Sequence, residues 1–576
     1  MKYAAAFAVV AALAPQPVPQ VTYTKDVAPL LADRCGMCHH PGGSAPFSLL
    51  TYADAKRHAE QIATVTARRF MPPWKADPAD GPFIGQHLLT GGEIAMLQRW
   101  AENGAPEGDA PQSTIRNPQS AMRWADGWQL GKPDLVITLP QAYTLPPEGT
   151  DAFRIFVLPI PVETVRFVRG LEFRPGNPKV VHHANIRIDT TPASRRLDEA
   201  DPAPGYDGLI SRSATYPDGH FLGWTPGQVA PLLPPDLAWR LEKNTDLVVE
   251  LHMQPSGKEE QVSPSIGLYF GDRPPFDAAQ GRPRRTPAML RLGRQDIDIR
   301  AGDANAVVTD SYTLPVDVEV LAVQPHAHYR ARDVRGVATL PDGSTKRLID
   351  IADWDFRWQH VYRFVTPLRL PKGTTLSMRY VYDNSAGNAR NPQQPPARAR
   401  WGQRSAEEMG DLWIQVLTRD DHDLDVLSRD FRPKVAAEDV KGYESEIEKH
   451  PSDAGLHDDV ALLYLELGQS LGAIAHFTAS LDLKPRSAPA HYNLGTALIA
   501  AHRLDAAVEE FRAALKIDPA YANAHNNLGN VLLAQRQFDE AIREFGEVVR
   551  LQPGSAAAQQ NLAAAYAAAG RKPPPR

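Results

Sequence analysis

The chain has 576 residues, a length that favours roughly three or four domains, each large enough to bury its own core. Its net charge is −6 with both signs interspersed, which excludes the strongly basic surface of a nucleic-acid-binding protein. Only two cysteines occur, and both belong to one short motif, so the fold is expected to form without disulfide bonds.

The N-terminus predicts an export signal. Met1 and Lys2 form a short basic start, residues 4–13 give an apolar stretch of about ten residues, and Ala12 and Ala14 fit a small-x-small cleavage pattern. We expect a signal peptide at residues 1–14, with a short uncleaved membrane anchor as the alternative. No later segment reaches about 18 apolar residues, so no membrane span is expected after signal removal. The predicted location is the periplasm or the extracellular face of a bacterium.

Residues 20–110 are predicted to form a small all-α domain of the cytochrome c type. Cys35, Cys38 and His39 make a CxxCH motif, in which the two thiols form thioethers with a haem and the histidine becomes the proximal iron ligand. Residues 92–100 are predicted to form a closing amphipathic helix. Half of a zinc site is the alternative, but the sequence has no second CxxC to complete it. One covalently attached c-type haem is therefore expected.

Met71 is the predicted sixth ligand of the haem iron. It lies downstream of the motif in a loop stiffened by two prolines, and a methionine ligand raises the potential of an electron-transfer haem. Ordinary packing of the side chain is the alternative. The segment resembles cytochrome c modules fused to other bacterial domains, in which similar Met-Pro-Pro-Trp loops occur.

Residues 130–430 differ in composition from the preceding segment and are predicted to form β-structure. Segments such as 153–158 and 247–252 are rich in β-branched residues with partial alternation, and Pro, Gly and Asp turns separate such segments. Because this length exceeds one sandwich, we expect two tandem all-β jelly rolls, at 130–280 and 285–430.

This β-region carries five histidines and one methionine that form two groups of candidate metal ligands: His182, His183 and His252, and His326, His328 and Met409. Imidazole binds copper in both oxidation states, whereas a thioether selects Cu(I), so the groups predict two chemically different copper sites. His326 and His328 stand two apart and can share one face of a strand. His182 and His183 are neighbours, so both can reach one metal only at a twist or a bulge.

The segments 181–184, 251–253, 325–328 and 408–412 occur in the order seen in the copper type II, ascorbate-dependent monooxygenases, and residues 130–430 resemble that family. The family includes peptidylglycine alpha-hydroxylating and dopamine beta-monooxygenase. The resemblance implies two jelly-roll subdomains across a solvent-filled cleft. It also implies an electron-transfer copper on the histidine-only group and an oxygen-binding copper on the group with the methionine.

The resemblance further implies insertion of one atom of O₂ into a C–H bond, with catalysis at His326, His328 and Met409. Peptide-amidating members have an Arg at the position of Gln324, and an Asn and a Tyr at the positions of Asp411 and Trp413. A glycine-extended peptide therefore does not fit well, and the expected substrate is a small organic or peptide-like molecule. Electrons are expected from the haem, which an ascorbate-like reductant or another cytochrome would reduce.

Residues 440–576 predict tetratricopeptide repeats, an α-solenoid, because the sequence repeats at a spacing of 34 residues. An Ala-x₃-Phe pattern and a closing proline recur at this spacing: Ala473, Phe477 and Pro485; Ala507, Phe511 and Pro519; Ala541, Phe545 and Pro553. A trailing capping helix is expected at 556–570. The groove of such repeats commonly binds a protein or peptide partner. The six histidines of this region are interpreted as solvated or packed: His450, His457, His476, His491, His502 and His525.

The sequence therefore predicts a multidomain, exported dicopper monooxygenase with a built-in haem. Two alternatives stay open. One is a copper-binding or electron-transfer protein without hydroxylase activity, and the other is an interaction scaffold built on the repeats.

Overall fold

A computed structural model describes residues 20–41, 43, 45–86, 88–109, 128–149, 151–228, 230–271 and 285–572. The predicted signal peptide at 1–14 lies outside these residues. The chain divides into two compact units. The first comprises Met1–Trp74, Gly85–Pro133 and Pro226–Ala230, and the second comprises Lys75–Ile84, Asp134–Thr225 and Pro231–Arg576.

Among its described residues, the first unit contains a π-helical turn and four short helices: Tyr23–Val27, then α1 Ala28–Arg34, α2 Tyr52–Arg57, α3 Ala59–Ala67 and α4 Gly91–Glu102. Helix α4 covers the predicted closing helix. Thr90 begins it through a capping box, since its hydroxyl accepts from the Glu93 N–H and the Glu93 carboxylate accepts from the Thr90 N–H. Leu97 and Trp100 on its inner face are fully buried in the core of this unit.

The second unit is rich in β-structure from residue 135 to residue 418. Up to residue 270 its strands are β1 Leu135–Thr138, β2 Tyr143–Leu145, β3 Ala152–Pro159, β4 Arg166–Arg174, β5 Val181–Asp189, β6 Gly223–Trp224, β7 Trp239–Leu241, β8 Asp246–Met253, β9 Glu260–Val262 and β10 Ser265–Phe270. Helix α5 Ala193–Ala200 and the 3₁₀ turns Pro217–Gly219 and Pro235–Leu237 lie between them. The strands pair antiparallel in the orders β1-β10-β4-β7, β3-β8-β5-β6 and β2-β9.

From residue 288 the strands are β11 Ala288–Gly293, β12 Asp298–Ile299, β13 Ala306–Thr313, β14 Val318–Ala327, β15 Ala331–Thr339, β16 Thr345–Ile351, β17 Tyr362–Leu370, β18 Thr375–Tyr382, β19 Ala399–Arg400 and β20 Gly410–Thr418. Their antiparallel orders are β11-β20-β14-β17, β13-β18-β15-β16 and β12-β19. Among the described strands, every sheet draws its members from one side of residues 272–284. The predicted β-rich region with several sheets is confirmed.

The alternation of side chains along β8 determines which of its faces carries His252. Leu251 and Met253 are fully buried in the apolar core between the two larger sheets of residues 135–270. Because side chains alternate along a strand, His252 points to the opposite face. Met253 therefore packs in the core.

The C-terminal part is helical: α6 Asp421–Lys449, α7 Ala454–Glu466, α8 Ser470–Leu483, α9 Ala488–Ala500, α10 Leu504–Ile517, α11 Ala522–Ala534, α12 Phe538–Leu551 and α13 Ala556–Ala568. The recurring Phe477, Phe511 and Phe545 are buried between helices. A Cβ at Gly495 would come within 2.7 Å of the Phe511 ring, which explains why a residue without a side chain stands there. Among the described helices, none is long and apolar enough to cross a membrane.

Candidate metal centres

A β-bulge brings the three histidines of the first group together. His183 and His252 are register partners on the β5–β8 ladder, and the register shifts between Val181 and His183, so His182 is the extra residue. The His252 ring lies 5.0 Å from the His182 ring and 4.9 Å from the His183 ring, measured between centroids. The bulge overcomes the alternation that would otherwise point two neighbouring histidines to opposite faces.

Hydrogen bonding leaves specific ring nitrogens of this group available. His252 Nε2 donates to Asp151 Oδ1 across 2.7 Å, and the His252 ring stacks on Phe153 at 4.4 Å. The Nδ1 atoms of His252 and His182 are buried without a hydrogen-bond partner. An orphaned lone pair in the interior is costly unless a ligand satisfies it, and a metal ion is such a ligand. These two nitrogens therefore fit a metal.

The second group presents the opposite nitrogens. His326 Nδ1 donates to the side-chain oxygen of Gln359, and Gln359 is itself oriented by donating its amide to the Phe356 carbonyl across 2.8 Å. His328 Nδ1 donates to the Glu407 carbonyl across 3.2 Å. Both rings thus keep the Nε2 lone pair for another partner. Their centroids lie 5.4 Å apart.

The β14–β20 ladder carries residues of the second group at one end. It pairs His326 with Asp411 and Ala327 with Gly410. His328 directly follows β14, and the residue directly before β20 is Met409. Its backbone is fixed on both sides: Tyr382 donates its hydroxyl to the Met409 carbonyl, and the Met409 N–H donates to Glu408.

The fully buried Glu408 holds the segment that carries His328. Its carboxylate accepts from the backbone N–H groups of His328 at 2.6 Å and Arg330 at 3.1 Å, besides that of Met409. Burial raises the pKa of Glu408 to about 7, against the lowering effect of these hydrogen bonds. One carboxylate thus connects the backbones of two predicted ligands of the second group.

One aromatic ring stands between the two groups. The Phe356 centroid lies 5.4 Å from that of His252 and 5.5 Å from that of His328. The resemblance to the copper monooxygenases implied a solvent-filled cleft between the groups. In the described residues a buried phenylalanine contacts one histidine of each group.

Burial keeps four of these imidazoles neutral. It lowers the pKa of His182 to about 4, aided by His252, and the pKa of His326 to about 4. Burial also lowers the pKa of His183 and His328 well below the ordinary value. A neutral imidazole is the form that binds a metal, so these four side chains are ready to act as ligands near neutral pH.

The distances between the ring centroids fit pairs of imidazoles that bind the same metal ion. The described side chains are not, however, already arranged as a complete metal site. A metal about 2.0 Å from a ring nitrogen lies about 3 Å from the ring centroid, so two rings sharing it stand about 5 Å apart. The observed pairs match that spacing. No three His, Cys, Asp or Glu side chains in the described residues already converge on one point. For three side chains of one group to bind the same metal ion, at least one of them would have to change its orientation.

In the first unit, Cys35, Cys38 and His39 share one turn at the end of α1. The N–H groups of Cys38 and His39 both donate to the Cys35 carbonyl, at 3.2 and 3.0 Å. His39 Nδ1 donates to the Phe47 carbonyl across 2.9 Å, which leaves Nε2 for an iron ion. The donor set fits a c-type haem. Met71 lies in the turn that follows α3, and its N–H donates to the Val65 carbonyl.

Sequence reasoning missed the residues that orient these ligands, namely Asp151, Phe356, Gln359 and Glu408. Only Glu408, which directly precedes Met409, offered a local signal. Two other buried histidines have different partners: His220 Nδ1 faces Gln415 at 3.5 Å, and His360 packs on Trp358 at 4.4 Å.

Two family matches fall in the C-terminal helices. Residues 497–535 match the family described as TPR repeat, and residues 522–555 match the family described as tetratricopeptide repeat. A crystal structure of MamA protein is 24% identical, covers 24% of this chain and 75% of its own, and has a TM-score of 0.23. The first TPR of Spaghetti (RPAP3) bound to the HSP90 peptide SRMEEVD is 20% identical, covers 20% of this chain and 93% of its own, and has a TM-score of 0.20. No curated protein sequence matches the chain. The family matches identify residues 497–555 as tetratricopeptide repeats.

Proposed function

We propose that this chain is an exported copper monooxygenase that inserts one oxygen atom of O₂ into a C–H bond of an organic substrate. The observation that carries the proposal is the pair of histidine groups on either side of Phe356. One group has orphaned Nδ1 atoms and the other has its Nδ1 atoms engaged, so each has a defined set of nitrogens for a metal.

The two groups would have different tasks. His182, His183 and His252 would hold a copper that stores an electron, since three imidazoles bind both oxidation states. The group with Met409 would hold the second, because a thioether favours Cu(I). Copper supplies the activation of O₂, and the protein supplies ligand geometry and a water-poor surrounding.

The balance of the reaction requires two electrons. R–H, O₂, two electrons and two protons give R–OH and water. Cys35 and Cys38 would attach a haem, and His39 and Met71 would bind its iron; such a haem would supply one-electron transfer. It would be reduced by an ascorbate-like reductant or another cytochrome.

The surroundings of the second group favour an uncharged substrate. Gln324 and Trp413 are register partners on the face of the sheet that carries His326. Arg291 packs over Trp413 at 5.6 Å and forms an ion pair with Asp439 at 2.5 Å. A substrate carboxylate would therefore find little positive charge there.

The tetratricopeptide repeats would add a binding surface for a protein or peptide partner, as such repeats commonly do. This role is compatible with the catalytic one, because the repeats and the histidine groups occupy separate parts of the chain.

Oxygen consumption tests the proposal. The copper-loaded, reduced protein is expected to consume O₂ faster when a screened organic substrate is present, with one hydroxylated product per O₂. Met409→Ala should abolish the substrate-dependent part, whereas Glu250→Gln, a change on β8 that removes no predicted ligand, should not. Copper binding without substrate-dependent uptake would instead favour an electron-transfer protein.

A further inference from the structure

The structure places a carboxylate where it can decide which nitrogen of His252 meets a metal. Asp151 immediately precedes β3, and its Oδ1 accepts from His252 Nε2 across 2.7 Å. The His252 side chain is 0% exposed and that of Asp151 is 8% exposed, so water competes little for this hydrogen bond. A proton on Nε2 means that Nδ1 carries the lone pair.

The second oxygen of the same carboxylate is also engaged. Asp151 Oδ2 accepts from the hydroxyl of the buried Ser405, which lies 254 positions further along the chain. Ser405 stands four residues before Met409. One carboxylate therefore connects a ligand of the first group with the segment that leads to a ligand of the second.

The stacking of Phe153 on His252 completes the constraint. The Phe153 ring is parallel to the His252 imidazole within 1°, and Phe153 belongs to β3, the strand that follows Asp151. The hydrogen bond fixes rotation within the ring plane and the stack fixes the plane itself. With Nε2 held in this way, the orphaned Nδ1 has one direction in which to bind.

We propose that Asp151 is a positioning residue for the histidine-only group: it holds His252 in the tautomer and orientation that present Nδ1 to copper. Partners of this kind commonly orient metal-bound histidines, and their loss costs roughly 10- to 100-fold in metal affinity. The inference rests on the proposed function, because it requires a copper ion at His182, His183 and His252.

The test uses the haem-containing protein with His326→Ala, which removes one ring of the second group. Cu(II) affinity is measured by competition with a chelator, and the Cu(II) EPR spectrum is recorded. Asp151→Ala is expected to weaken Cu(II) binding by about 10- to 100-fold and to change the hyperfine pattern. Asp151→Asn should recover most of the affinity, because its amide oxygen can accept from the same Nε2–H.

Glu250→Gln is the matched control, since Glu250 lies on the same strand and accepts from Asn185 at 2.8 Å. It should bind Cu(II) like the parent. Here the parent is the His326→Ala protein. The inference is overturned if Asp151→Ala binds Cu(II) as tightly as the parent, or if Asp151→Asn binds it as weakly as Asp151→Ala. A loss of Cu(II) affinity in Glu250→Gln equal to that in Asp151→Ala would also overturn it. A parent that binds no Cu(II) would instead overturn the proposed function.

Discussion

Tyr382 donates its hydroxyl to the carbonyl of Met409 across 2.8 Å. The tyrosine is fully buried, and burial raises its pKa well above the ordinary value, so the hydroxyl stays protonated and remains a donor. A buried side chain on one sheet thus fixes the backbone of the residue proposed as the soft copper ligand.

Tyr382→Phe should therefore weaken Cu(I) binding at the second group. Loss of the hydrogen bond leaves a buried carbonyl less satisfied and should lower the free energy of unfolding by about 1 to 2 kcal/mol. Tyr380→Phe is the matched control, because the Tyr380 hydroxyl donates to the Asp411 carbonyl at 2.7 Å on the same strand. Both variants should lose similar stability in denaturant, but Tyr382→Phe should lose more Cu(I) affinity, because only its hydroxyl donates to the backbone of Met409. Equal loss of Cu(I) affinity would contradict the assignment of Met409.

Acid should destabilise the metal-free protein. The folded-state pKa values of His182 and His326 are lowered to about 4 from 6.5, so the unfolded chain binds more protons between these values. Stability from these two groups is present above pH 6.5 and is lost as the pH falls towards 4, by up to about 3 kcal/mol for each histidine. Urea unfolding at stepped pH measures this slope.

The control for the acid prediction is His326→Gln, which cannot take up the proton. Its unfolding free energy should fall less steeply between pH 6.5 and 4 than that of the parent. An unchanged slope would mean that His326 titrates alike in the folded and unfolded chain.

Met71 can be tested through the haem potential. Methionine ligation raises the potential of a c-type haem, so Met71→His should lower it. Met37→Leu serves as the control, because Met37 lies inside the CxxCH loop beside the proximal ligand and should leave the potential unchanged. Spectroelectrochemical titration gives both values. A potential that stays constant in Met71→His would exclude Met71 as the iron ligand.

The repeats contain an interaction that recurs with their period. His491 Nδ1 donates to Glu510 and His525 Nδ1 donates to Glu544, each across 2.6 Å and each pair 19 residues apart. Glu510→Ala and Glu544→Ala should therefore destabilise the helical region by similar amounts, about 1 kcal/mol each. Glu509→Ala, at an exposed position, should cost less. Thermal unfolding followed by circular dichroism compares the three, and unequal losses for the two paired glutamates would contradict the equivalence.

The repeat helices were predictable because their signals are local and periodic. The 34-residue pattern located the buried phenylalanines and the trailing helix, which the structure places at Ala556–Ala568. His457, His491 and His525 are also spaced by 34 residues, so the sequence itself indicates that these histidines occupy equivalent positions in successive repeats. The interpretation of these histidines as solvated or packed missed the glutamate partners of His491 and His525, and also the contact of His457 with His476.

The orienting residues of the histidine groups were not predictable in this way. Asp151 is 101 positions from His252, and Gln359 is 33 positions from His326, so no local pattern connects either pair. The sequence indicates that His182 and His183 can bind one metal only at a twist or a bulge, but it does not show that the strand has one. The position of the bulge depends on how β5 pairs with β8, which the sequence of β5 alone does not determine.

The copper-to-haem ratio tests the central claim most directly. The mature protein, produced in a host that attaches c-type haem, would be loaded with copper and dialysed against a weak chelator. We predict two coppers per haem in the parent and one in Met409→Ala under reducing conditions. No copper retained beside an intact haem would contradict the account.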